Sequence, residues 1–221
     1  MSGLAFDIAH LLGALVLTLS FALLYQRRLT TAINVVAMQA ATLAAAAAWQ
    51  AVTRDTPHLF VTAAIALVFK AIAVPLLLHW LVRRMNISSA VEAVFGVSLT
   101  MGLGVGVTAL SILLVLPLTA GEALLLREDL AFALAVALIG PLLMIARRNA
   151  VIQVVGFMSM ENGLILAAVG VKGMPLVVEA SVAFSVMVAT FIFGVFFFHI
   201  RERFDSLDVS RLEEMQGERH P

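Results

Sequence analysis

Lys70, Glu161 and Glu179 each stand inside a long apolar stretch: FKAIAVPLLL around the lysine, SMENGLILAAV around the first glutamate and PLVVEASVAF around the second. An ionisable side chain near mid-bilayer costs about 2.5–3.5 kcal/mol on the insertion scale, so each demands a partner or a polar path. Two chemistries meet that demand. The three residues can face a hydrated seam and carry or stabilise protons, because the proton affinity of buried Lys and Glu depends strongly on their neighbours. They can also form static ion pairs between helices. Lys70 is too deep to reach an interface easily, and Ala63, Ala66 and Ala73 on its side of the helix leave room for close approach by another helix. Nothing in the spacing tells whether Lys70 touches Glu161.

Other constellations carry less. Gly102, Gly104 and Gly106 lie inside an apolar run with no strand before them, so a helix-packing face through Gly102 and Gly106 is expected rather than a phosphate loop. Pro75 and Gly140-Pro141 interrupt apolar stretches and are expected to kink their helices and release backbone carbonyls. The five histidines are scattered singly, His79 near a helix end and His10 beside Asp7 in the first turns, without the paired spacing of a zinc site. There is no Ser-His-Asp set, no P-loop and no metal constellation. The chain is expected to have no active site of its own.

These residues need elements to hold them, and composition says which. Of 221 residues 62% are hydrophobic and 13% charged, far from the average soluble domain at roughly 45–50% and 25%. Fourteen Lys/Arg balance fourteen Asp/Glu, leaving no basic surface for nucleic acid. Zero cysteines exclude disulfides, iron–sulfur clusters and thiolate metal sites in this chain, so no cofactor is expected in it. A bilayer core about 30 Å thick needs about 20 apolar residues of helix. Seven stretches qualify: Leu4–Tyr25, Thr30–Val52, His58–Val82, Val91–Leu116, Asp129–Ala146, Asn149–Val171 and Pro175–Ile200. The second is the weakest, its Ala44–Ala48 run being only mildly apolar and Gln39 and Gln50 interrupting it.

The expected fold class is therefore all-α, a polytopic helical membrane protein of about seven spans. Residues 1–200 form the membrane domain and 201–221 a polar tail. Arg27/Arg28, Arg83/Arg84, Arg147/Arg148 and the tail arginines fall on one side, against Arg54, Arg127 and Lys172 on the other. The positive-inside rule then puts the N-terminus in the periplasm and the tail in the cytoplasm of a bacterial inner membrane. MSGLAFD lacks a positive n-region, so no removable leader is expected. Paired arginines also precede two similar stretches, RRLTTAINVVAMQAATLAAA and RRNAVIQVVGFMSMENGLILAA, a possible repeat in which Gln39 stands near the place of the second copy's carboxylate.

RRNAVIQVVGFMSMENGLILAAV, then PLVVEASVAFSVMV and SLDVSRLEEMQG, resembles the membrane subunit family hydrogenase-4 component E, and the likeness extends upstream to the Gln39 helix and to FKAIAVPLLL. Its most specific pieces are Glu161-Asn162-Gly163, Val178-Glu179 and Leu207-Asp208-Val209. The stretch 126–200 is also similar to the small three-helix subunit K of respiratory complex I and to its counterpart in Mrp-type sodium/proton antiporters. Superposing the arginine turns puts Asn162 on the helix asparagine of the complex I protein and its glutamate on Met158, three residues before Glu161. The family pattern has an Asp six residues after the seventh-span glutamate, where this chain has Ser185; a hydroxyl relays a proton through water but holds no charge.

What the resemblance implies is a non-catalytic proton-path subunit in the membrane arm of a complex I-like assembly. Its partners would be antiporter-like membrane subunits and a cytoplasmic hydrogenase-type module, with nickel–iron and iron–sulfur centres in those partners. The proton path would use Glu161, with Glu179, Lys70, Ser185 and Gln39; Asn162 and Gly163 belong with Pro75, Pro141 and the glycines as packing residues. A subunit of an Mrp-type cation/proton antiporter and an independent secondary transporter are the alternatives. The tail, with Phe204, Leu207, Val209, Leu212 and Met215 among its charges, is expected to lie along a neighbouring subunit.

Overall fold

Arginine pairs and short polar turns cut the apolar sequence into rods long enough to cross a bilayer. The structure, a computed structural model, describes residues 3–84, 94–119 and 124–170, and these are helical apart from short connections. The helices are α1 (Gly3–Tyr25), α2 (Leu29–Arg54), α3 (His58–Ile65), a π-helical segment (Ala66–Ala73), α4 (Val74–Arg84), α5 (Val97–Leu118), α6 (Leu124–Ala146) and α7 (Ala150–Gly170). The π segment joins α3 to α4 as one third span. Among the described residues six helices are long and apolar enough to cross a membrane. The expected seventh span, Pro175–Ile200, with Glu179 and Ser185, lies outside the described residues, as does the tail.

The weakest expected span is a full helix. α2 runs 26 residues, and its alanines are what bury it, since Ala40, Ala44, Ala47 and Ala51 are all in the interior. Asp55 ends it in the left-handed region at φ 52°, a conformation Asp tolerates better than most residues, with its N–H on the Ala51 carbonyl. Two boundaries differ from expectation. The fourth span begins at Val97 rather than Val91, because the Val94 N–H is drawn to the Ala146 carbonyl at 3.0 Å and Gly96 is extended before the first turn. The fifth helix begins at Leu124 rather than Asp129, so Arg127 and Glu128 ride on the helix together with Asp129. At α7 the Asn149 side chain caps the N-terminus, accepting from Val151 and Ile152 N–H at 2.9 and 3.4 Å.

Two hairpins make the centre. α1 pairs with α2 and α6 with α7; α1 also packs on α6 and α2 on α7, closing a ring of four helices. The third span covers α2, and α5 covers α6 and α1. The two stretches read as a possible repeat are thus the second helices of two like hairpins, lying side by side. Glycines set the α6/α7 distance: a Cβ on Gly163 would collide with Ala133 and Ala137 backbone, and one on Gly140 would lie 2.5 Å from the Gly156 carbonyl. Arg147, from the turn between α6 and α7, is buried and donates to the Leu24 carbonyl at 3.0 Å, so it caps the α1 C-terminus. Burial, with Arg27 as a second cause, lowers its pKa from the ordinary arginine value. Arg54 does the same for α7, donating to the Val169 and Gly170 carbonyls at 3.3 and 2.9 Å.

Candidate functional site

The π segment is where the third span departs from regular helix. Its hydrogen bonds reach five residues back, as the Val74 N–H does to the Phe69 carbonyl, and Pro75 follows immediately. Proline has no N–H to give and crowds the carbonyl four residues before it, which disfavours a regular turn at this point. Bonding five residues back is an uncommon arrangement that occurs frequently at functional sites. Lys70 sits in its middle.

Lys70 Nζ lies 3.1 Å from Glu161 Oε2 of α7, with the two residues 2% and 3% exposed. The contact left open by the sequence is therefore made, between residues on the third and the last described spans. Two opposite charges this deep cost several kcal/mol each to desolvate, and their attraction offsets that only while both are present and close.

Beside the pair is a neutral network. Gln39, fully buried on α2, donates through Nε2 to Ser20 Oγ at 2.7 Å and Ser159 Oγ at 3.1 Å, and accepts at Oε1 from Asn162 Nδ2 at 3.0 Å. The Ser20 hydroxyl donates in turn to the Val16 carbonyl at 3.1 Å. One side-chain amide so ties α1, α2 and α7 together, next in sequence to Glu161. Gln39 does not meet the carboxylate itself: Glu161 turns to the third span and Asn162 to α2. Thr62 Oγ1, Gln50 Oε1 and Asn162 Oδ1 are buried atoms with no protein partner among the described residues.

A second polar group lies at the end shared by the α1 N-terminus and the start of α6. His10 Nδ1 is 2.9 Å from Asp129 Oδ1 and its Nε2 is 3.4 Å from Glu128 Oε2, with the ring tilted on Phe132 at 5.1 Å. Sequence reasoning gave no role to His10, Asp129, Ser20 or Ser159. The only signal was that His10 and Asp129 both fall in the opening turns of apolar helices, and it needed the α1/α6 pairing to mean anything.

The remaining expected residues are placed as follows. In α5 the packed glycine is Gly104, whose added Cβ would lie 2.7 Å from Leu24, whereas Gly102 and Gly106 have nothing within 4 Å. The expected packing face is thus not used within the described chain, because α5 turns the intervening glycine toward α1. Pro141 lies inside α6, which continues through it to Ala146, and Pro75 is the second residue of α4. No group of three or more His, Cys, Asp or Glu able to hold a metal occurs among the described residues.

No family model matches the chain. It is 28% identical over 162 residues to hydrogenase-4 component E of Escherichia coli strain K12, covering 72% of this chain and 74% of that one, with the same figures for the Shigella flexneri protein of that name. An uncharacterized protein of Mycobacterium tuberculosis is 27% identical over 210 residues, 92% of this chain and 93% of its own length. No solved structure matches.

Proposed function

We propose that this chain is a non-catalytic membrane subunit of a hydrogenase-type oxidoreductase complex, and that its Lys70–Glu161 pair is a station on a proton path through the membrane arm. The similarity to hydrogenase-4 component E supports the first half. The single observation that carries the second is a buried ion pair centred on a π-helical segment.

The chemistry follows from the pair. A proton passing from the Lys70 ammonium to the Glu161 carboxylate leaves both neutral and removes the attraction that holds them at 3.1 Å. In a poorly solvated site the charged and neutral forms of such a pair are brought closer in energy than in water, so a neighbouring charge in the assembly decides between them. The π segment supplies the give: a π turn is rare and local in a helix, and its return to α-helical register would relocate Nζ. The Gln39 network holds α7 in place while the third span adjusts. Redox centres belong to the cytoplasmic partners, and Glu179 and Ser185, in the apolar stretch Pro175–Ile200, serve as further relays.

Membership is tested by tagging the chain, extracting native membranes in mild detergent and identifying what comes with it. Hydrogenase-type cytoplasmic subunits together with antiporter-like membrane subunits are expected. Mrp-type subunits alone would replace this reading with that of a cation/proton antiporter, and recovery without partners would favour an independent transporter.

A further inference from the structure

An apolar groove of about 290 Å3 runs between α5, α6 and α7, lined by Val115, Leu134, Gly163, Leu164 and Ala167, with Thr119 the one hydroxyl among its described lining residues. Its size is near the lower end for sites that hold small molecules, about 300 Å3. Leu164 is also exposed, so the groove opens outward. At the Thr119 end stands a cation. Arg127 Nε donates to Thr119 Oγ1 at 3.1 Å and Nη2 to the Leu116 carbonyl at 2.9 Å, which fixes the guanidinium on neutral acceptors. The adjacent carboxylates, Glu128 and Asp129, pair with His10 instead, and among the described residues no ion pair neutralises Arg127.

A hydrocarbon slot ending in a guanidinium that forms no ion pair among the described residues is complementary to a molecule with an apolar tail and an anionic head. We infer that the groove holds an acyl chain of an anionic phospholipid whose phosphate sits on Arg127. A partner's apolar helix would fill the slot but give the guanidinium no charged partner, whereas a phosphate gives it a charge-assisted one. The lipid then packs against Gly163, two residues from Glu161, and braces α7 where it carries the carboxylate.

The test uses the full chain, purified in detergent, exposed to phosphatidylglycerol or phosphatidylcholine of identical acyl chains and examined by native mass spectrometry. Wild type should retain phosphatidylglycerol over phosphatidylcholine. Arg127→Gln should abolish that preference while still retaining some of both. Ala167→Phe, which fills the slot from α7, should lose both lipids; Val115→Phe fills it from α5 and separates occupancy from a fold defect peculiar to one substitution. Wild-type protein that retains no lipid, equal retention of the two headgroups, or filled-groove variants that retain lipid like wild type would overturn the proposal.

Discussion

Lys70 and Glu161 could be singled out in the sequence because an ionisable residue in an apolar stretch stands out whatever the fold. Their pairing could not, since no periodicity relates residues on helices so far apart in the chain. The pair has a stability signature distinct from its role in proton movement. Removing one partner of a buried ion pair typically costs about 3–5 kcal/mol, while neutralising both is often harmless. Lys70→Met alone should therefore lower the melting temperature of the purified protein markedly, and Lys70→Met with Glu161→Gln should recover most of the loss. Additive losses in the double variant would mean that the two groups are not coupled. Gln39→Leu should be destabilising too, by roughly 1–3 kcal/mol, because it strands the buried Asn162 amide and two serine hydroxyls. In the sequence that residue is a blemish in a weak span; the structure makes it the tie between three helices.

At the scale of elements, span positions were legible to within a few residues wherever charge or proline punctuated the chain, as at Arg27/Arg28 and Thr56-Pro57. They were less so where a polar stretch is itself helical: Arg127 and Glu128, left ahead of a span expected to start at Asp129, belong to the first turns of α6. Small-residue patterns had the same limit. Gly102, Gly104 and Gly106 are equivalent in sequence, and only the position of α1 makes Gly104 the one that packs. Gly163→Ala should consequently weaken the α6/α7 hairpin, since the new methyl meets backbone that cannot swing aside, while Gly102→Ala in open space should leave the melting temperature unchanged. Equal melting temperatures for the two variants would show that the hairpin is looser than described. The π segment had only Pro75 as its herald, and proline alone does not say whether a helix will kink, break or widen.

On the scale of the whole molecule, the two arginine turns lead into α2 and α7, the second helices of hairpins α1/α2 and α6/α7 that pack in a ring. Arginine counts give an orientation that reporters can check: a fusion after Arg148 should report cytoplasm and one after Thr56 periplasm, and the reverse pattern would invert the topology. Alone in liposomes the chain should move no ions, because the proposed path is completed by partner subunits. The most direct measurement of the account's central claim is proton transfer by the assembled complex in proteoliposomes, comparing Glu161→Gln, which keeps size and hydrogen bonding but cannot ionise, with Glu161→Asp, which can. The Gln variant should assemble in lower yield, as the loss of one charge of a buried pair requires; per assembled complex, Asp should retain coupled proton transfer and Gln should lose it. Full coupling in the Gln variant would contradict the account and leave Lys70–Glu161 as a structural pair.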